Sequence, residues 1–195
     1  YDTGRGPAKA VNDVSFSLRP GERLGLIGES GCGKTTMATA LMRLTKPPGQ
    51  IVSGSIELDG KDILKLSTAE LRETRLRDIA LIPQGAMSSL NPVMRLEEQI
   101  MDAILAHVPN MKRAALQARV VELLKNVGLH PDPARRFPHE LSGGMKQRAA
   151  MAIATSLTPK VIVADEPTSA LDVVVQRQVM QTLGRLQDGL GAAVV

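Results

Sequence analysis

The sequence predicts an α/β fold built on a mostly parallel sheet. Three observations carry that prediction. Short apolar runs alternate with segments at helical spacing along the chain. Two of those runs, "RLGLIG" and "KVIVADE", end in glycines and in acids, as strands do when they deliver residues to one edge of a parallel sheet. The length, 195 residues, suits one domain with a sizeable core.

The elements follow in order. "AVNDVSFSL" (10–18) alternates apolar and polar residues, which predicts a half-buried strand. "RPGE" is a turn, and "RLGLIG" (23–28) a buried strand. "TTMATALMRL" (35–44) has helical character. "SGSIELDG" (53–60) reads as a strand closing on an Asp59-Gly60 turn. "DIALIPQ" (78–84) is a strand stopped by Pro83. From Leu96 to Val127 the pattern is helical: Leu116, Val120, Leu123 and Val127 recur at helical spacing, and Gly128 sits where a C-terminal glycine belongs. "HPDPARRFPHEL" (130–141) is a proline-rich linker. "GGMKQRAAMAIATSL" is a helix, "KVIVADE" a buried strand and "VVVQRQVMQTLGRLQ" a last helix. "AAVV" begins a further strand.

Composition narrows the function classes. Hydrophobic residues make up 43% and charged residues 23%, ordinary values for a soluble globular protein. No apolar run reaches the length of a membrane span, and no signal peptide is evident. A single cysteine forms no internal disulfide, which suits a reducing compartment. The net charge of +4 reads as a solvated basic surface rather than a nucleic-acid footprint. Tyr1, Phe16 and Phe137 are the whole aromatic complement, little for stacking on bases, so no nucleic-acid partner is expected. The chain begins at Tyr1 without Met, which suits a piece of a longer polypeptide.

Four glycines fall within nine residues, Gly25, Gly28, Gly31 and Gly33, followed by Lys34, Thr35 and Thr36. Glycine is costly to order, so this density needs a reason. Gly28-x-x-x-x-Gly33-Lys34-Thr35, between a predicted strand and a predicted helix, is a phosphate-binding pattern. Bare backbone lets N–H groups turn onto phosphate oxygens, and the helix start presents positive charge to them. The nucleotide-binding stretch is Gly28, Glu29, Ser30, Gly31, Cys32, Gly33, Lys34, Thr35 and Thr36. Lys34 would neutralise the β- and γ-phosphates of ATP, and the Thr35 hydroxyl would ligate Mg²⁺. Cys32 reads as a small residue tolerated in the loop.

The second element is "VIVADEP". A buried strand ending in Asp165 and Glu166 sets two carboxylates at the ligand-binding edge of the sheet. Asp165 can hold Mg²⁺, and Glu166 can polarise an attacking water. The third is "ELSGGMKQR" (140–148), where Ser142, Gly143 and Gly144 open a helix and form a second anion-binding terminus. One triphosphate has little use for two such termini in one chain, unless the second serves a partner's nucleotide.

With these motifs in this order, the sequence resembles the ATP-binding cassette (ABC) ATPases over essentially all of its length. The resemblance implies an ABC-type P-loop fold: a mostly parallel core, an N-terminal antiparallel β part and a helical subdomain at about 85–155, within one nucleotide-binding domain spanning 1–195. It makes 142–144 the signature that binds the γ-phosphate held by a second ABC ATPase subunit, identical or not, in a head-to-tail dimer. It makes Gln84, in "IPQ", the glutamine that reaches the metal and the attacking water, and "SALD" (169–172) the loop that crosses the dimer interface. "GESGCGKTT", "MSSLNP" and "ADEPTSALDV", with Met145 where glutamine is commoner, are similar to ATPase subunits of peptide and nickel importers. That implies an ATPase powering an importer of di- or oligopeptides, or alternatively of nickel. It would sit peripherally at the cytoplasmic face of the membrane, with transmembrane permease subunits and, indirectly, an extracytoplasmic substrate-binding protein. A soluble ABC-type ATPase outside transport is the other alternative. The separation of Gly28 from Ser142 leaves room for a small helical subdomain but none for a long coiled-coil arm.

The family's switch histidine falls beyond the last strand. His107, His130 and His139 all precede it, so that histidine and a C-terminal extension are expected past Val195, and the 195-residue chain alone is expected to turn over ATP weakly or not at all. The family also stacks an N-terminal aromatic on adenine. Tyr1 is the better candidate, since Phe16 falls in a strand pattern and is expected in the core.

Overall fold

The structure, a computed structural model, describes residues 1–4 and 6–195. The chain opens with a small antiparallel hairpin, β1 (Asp2–Thr3) on β2 (Gly6–Pro7). Helix α1 (Lys34–Leu41) follows the glycine-rich loop. A second antiparallel hairpin, β3 (Glu57–Leu58) and β4 (Lys61–Asp62), turns through Asp59 and Gly60, both at positive φ (49° and 76°). That is the backbone a two-residue hairpin turn demands, and Asx-Gly supplies it. Helix α2 (Thr68–Thr74) begins in a capping box: the Ser67 hydroxyl accepts from Glu70 N, and the Glu70 carboxylate accepts from Ser67 N.

The central sheet is parallel, with β5 (Ile79–Ile82), β6 (Val161–Ala164) and β7 (Ala193–Val194) side by side in that order. Between β5 and β6 the chain builds α3 (Ala86–Ser89), α4 (Leu96–Leu105), α5 (Arg113–Asn126) and α6 (Gly143–Ala154). Helix α7 (Val173–Leu190) links β6 to β7.

Strand periodicity sorts the core into two layers. Ile79, Leu81, Val161 and Val163 pack with Ala38, Leu41 and Met42 of α1 and Leu71 of α2. Ala80, Ile82, Ile162 and Ala164 pack on the other side with α4 to α7, through residues such as Ile100, Leu123, Met151 and Leu183. Because successive side chains leave a strand on opposite faces, each strand is a wall shared by two helical layers. Leu116, Val120, Leu123 and Val127 are buried as their spacing predicts, and Gly128 at φ 70° closes α5. The helical pattern predicted over 96–127 is divided in two, because Pro109 and Asn110 interrupt it. Among the described residues, no helix is long and apolar enough to cross a membrane.

Three expectations are corrected. Residues 10–18 form no strand, and Phe16, expected in the core, is 39% exposed. The run at 23–28 is not a buried strand. It lies beside β7 only at its start, where Val194 N donates to Glu22 O and Leu24 N to Val194 O, and Ile27 is 98% exposed. Both predictions rested on local apolar pattern, and a strand exists only where a neighbouring ladder accepts its backbone. The 130–141 linker is more ordered than its prolines suggest: it makes two 3₁₀ turns, 132–135 and 138–140, with Pro133, Ala134 and Pro138 buried.

Candidate functional site

The glycine-rich loop leads from the stretch that bridges β7 at Arg23 into α1. Gly31 (φ 82°) and Gly33 (φ 104°) both occupy left-handed backbone, and Gly33 caps α1. A Cβ at Gly33 would stand 2.5 Å from the Ala10 carbonyl oxygen, so residues 10 and 11 lie directly on the loop. A Cβ at Gly28 would stand 2.4 Å from Cys32 Sγ. Gly33 is therefore required both by its φ and by the close approach of the backbone, and Gly31 by φ alone. Lys34 folds back over the loop, and its Nζ donates to Gly28 O and Glu29 O, both at 2.8 Å. Cys32 is exposed, with Sγ 3.8 Å from that ammonium. Ser30 is exposed and Thr36 half-buried.

At the end of β6 the two predicted acids part. Asp165 is 8% exposed and its N–H donates to Ile82 O, which extends the β5–β6 ladder by one residue. Its Oδ1 accepts from the Thr35 hydroxyl at 3.2 Å. Glu166 takes left-handed backbone (φ 45°), uncommon for a residue with a side chain. Its Oε2 accepts from the Gln84 amide at 2.8 Å. Thr35, Gln84, Asp165 and Glu166, spread over 131 positions of sequence, thus meet at one edge of the sheet. Beside them a cavity of about 470 Å³ is lined by Lys34, Asp165 and Glu166 on its polar side and by Leu24, Leu26 and Leu183 on its apolar side. Concave sites of this size with few convergent polar groups are where small ligands bind.

Ser142, Gly143 and Gly144 stand apart from this cluster. Ser142 caps α6, its hydroxyl accepting from Met145 N at 3.3 Å. Among the described residues no hydrogen bond joins 142–144 to residues 28–36. Gly144 is buried against α7, where a Cβ would come within 2.6 Å of Val175 Cγ1. Tyr1 does not line the cavity. It is 41% exposed and its ring lies against Gly49. In the "MSSLNP" stretch Asn91 makes a turn, its Oδ1 accepting from Val93 N at 3.1 Å; the Met87 side chain lies outside the described residues.

Sequence reading missed the brace beneath the loop. Gln187 of α7 is buried and donates to Gly21 O at 2.8 Å and to Glu22 O at 3.3 Å. It also accepts from Arg23 Nε, and Arg23 pairs with Asp188 at 2.8 Å. A glutamine on a predicted amphipathic helix carries no signal that its partner lies some 160 positions earlier.

The sequence model of the family described as "ABC transporter" matches residues 11–169. The chain is 44% identical over 198 residues to the oligopeptide transport ATP-binding protein OppD of Escherichia coli, covering 100% of this chain and 58% of that protein. It is 38% identical over 198 residues to the dipeptide transport ATP-binding protein DppD of Lactococcus lactis, covering 100% and 56%. The chain therefore spans little more than half the length of these curated relatives. Among solved structures it resembles the dimeric, post-hydrolysis ATP-binding cassette MJ0796 bound to ADP and Pi, with TM-score 0.82 and 32% identity over 95% of this chain and 78% of that one. A second dimeric structure of MJ0796 gives TM-score 0.85 at 31% identity, covering 100% and 83%. The family match takes in the glycine-rich loop, residues 142–144 and the acids at the end of β6, and the fold agrees over nearly the full chain. The chain belongs to the ABC transporter family.

Proposed function

We propose that this chain is the ATP-binding and ATP-hydrolysing part of a subunit that powers an importer of di- or oligopeptides. The observation that carries the reading is the convergence of Thr35 with Asp165 and of Gln84 with Glu166 beside Lys34. The names of the relatives supply the peptide class.

The loop residues 28–36 cradle the phosphates of ATP with their backbone N–H groups, and the Lys34 ammonium exchanges its two loop carbonyls for β- and γ-phosphate oxygens. Thr35 and Asp165 suit Mg²⁺, because an exposed hydroxyl and a buried carboxylate oxygen already lie 3.2 Å apart and Mg²⁺ favours few carboxylates, its remaining ligands being phosphates and water. Gln84 is a third oxygen donor. The ion, when bound, neutralises charge on the phosphates. Glu166 accepts the proton of the attacking water, once Gln84 releases its carboxylate. Tyr1 would stack on adenine after leaving Gly49.

Ser142, Gly143 and Gly144 face the nucleotide of a second ABC ATPase subunit. The dimers seen for MJ0796 support that arrangement. Residues 85–155 form the helical subdomain that meets the permease subunits, which places the protein peripherally at the cytoplasmic face of the membrane. Purified protein should bind Mg²⁺-ATP, and Glu166→Gln should retain binding while abolishing phosphate release. When the subunit is reconstituted with its permeases, uptake of a labelled dipeptide should follow ATP consumption. Uptake that is indifferent to ATP would overturn the reading.

A further inference from the structure

Two arginines converge where α5, α6 and α7 meet. Arg148 of α6 is held in place, its Nε donating to Gly144 O at 3.2 Å and its Nη1 to Gly128 O at 3.1 Å. Arg185 of α7 donates from Nη2 to the Thr182 hydroxyl at 3.2 Å. A Cβ placed on Gly128 would stand 3.7 Å from Arg148 Nη1 and 4.0 Å from Arg185 Nη2, so both guanidinium groups address one point above the end of α5.

The surrounding helices offer nothing to neutralise them. Helix α6 carries no acid. Helix α5 carries only Glu122, which is paired with Arg119 at 2.8 Å, and α7 only Asp188, which is paired with Arg23. Neither Arg148 nor Arg185 has an ion-pair partner among the described residues. Burial, and after it the charge of Arg185, hold Arg148 below the usual arginine pKa. A folded chain that keeps two like charges together without a counter-charge carries a standing repulsion. An oxyanion placed between them removes it, since guanidinium groups bind such anions through paired N–H donors. Beside Arg185 the surface is shallowly concave, lined also by Arg177, Gln181 and the Arg23–Asp188 pair; Arg148 stands outside that lining.

We propose that Arg148 and Arg185 form a second anion site, separate from the glycine-rich loop, that takes the phosphate group of a small molecule. The inference goes beyond the proposed ATPase function and does not depend on it. Because Arg148 is bonded to the carbonyl of Gly144, an occupant here pulls directly on the start of α6.

The test uses pyrophosphate as the probe and calorimetry as the readout. Lys34→Ala protein serves as background, so that the glycine-rich loop contributes little. Pyrophosphate should bind this protein, and Arg185→Gln in the same background should weaken it at least tenfold. Citrate should bind at least tenfold more weakly than pyrophosphate. Arg185→Glu supplies an internal partner for Arg148, so it should abolish pyrophosphate binding and raise the melting temperature. Pyrophosphate affinity unchanged by Arg185→Gln, citrate binding equal to pyrophosphate, or a lower melting temperature in Arg185→Glu would each overturn the proposal. ATP binding by protein with Lys34 intact, measured in parallel, reports on the other site and fails or holds independently.

Discussion

Gln84 and Glu166 share a hydrogen bond of 2.8 Å from the Gln84 amide to the Glu166 carboxylate, across 82 positions of sequence. The bond occupies an oxygen that general-base chemistry needs. Under the proposed function, its exchange for water is part of the catalytic cycle. Gln84→Ala should leave ATP affinity within about threefold, since Thr35, Asp165 and the phosphates would still hold the metal, while kcat falls ~10-fold or more because water is no longer positioned. Glu166→Gln should cost more, about 100-fold or greater in kcat. Steady-state phosphate release measures both. A Gln84→Ala enzyme that loses affinity and keeps kcat would contradict this assignment.

Lys34 spends its ammonium on two exposed loop carbonyls, so its removal costs the fold little. Lys34→Ala should change stability by less than about 0.5 kcal/mol and remove detectable ATP binding. Calorimetric titration beside thermal denaturation checks the pair of outcomes, and wild-type affinity in the variant would sink the phosphate assignment.

Cys32 is exposed and its sulfur occupies the space that a Cβ on Gly28 would fill. Alkylation must therefore push bulk into the loop's concave side or unfold the turn. Labelling with a maleimide should abolish ATP binding, and prior Mg²⁺-ATP should slow the labelling. Mass spectrometry of the labelled peptide follows both, and a labelling rate indifferent to nucleotide would contradict the placement.

Gly144, proposed to face a partner's nucleotide, is also a packing residue. Gly144→Ala gains about 0.5–1 kcal/mol of helix propensity, but its methyl would meet Val175 at 2.6 Å. Overpacking of that kind costs about 1–3 kcal/mol. The variant should lose about 1 kcal/mol net. In a Val175→Ala background the same change should be neutral or stabilising. Denaturant titration of the four proteins decides it: additive losses would mean that the two residues do not touch.

The parts legible in sequence were those whose signal is local and whose partners are interchangeable. Residues 79–82 and 161–164 read as strands because continuous apolar runs are needed by any sheet covered on both faces. Gly28, Lys34, Asp165 and Glu166 could be named as candidates because phosphate chemistry would fix residue type and spacing, and the structure brings Lys34 and both acids to one cavity. Residues 10–18 misled because alternation shows which face would be buried and nothing about whether a ladder is present. The same holds for Ile27, which lies in an apolar run and stands in solvent. The Gln187 brace and the Arg148–Arg185 pair were invisible for another reason. Each becomes informative only when helices far apart in sequence are brought together, and neither glutamine nor arginine is unusual on a helix surface.

The end of β6 gives the order of its two acids a meaning. Val161, Val163 and Asp165 share one parity and look toward α1, where Thr35 waits; at Glu166 the backbone leaves the strand for left-handed geometry, φ 45°, and its carboxylate goes to Gln84 instead. The strand end parts the two carboxylates, and under the proposed function one serves the metal and the next the water. Asp-Glu and Glu-Asp are therefore not permutations of one acidic patch. The exchanged double variant, Asp165→Glu with Glu166→Asp, keeps composition and charge yet delivers each acid to the wrong chemistry, and its phosphate release should fall as far as that of Glu166→Gln.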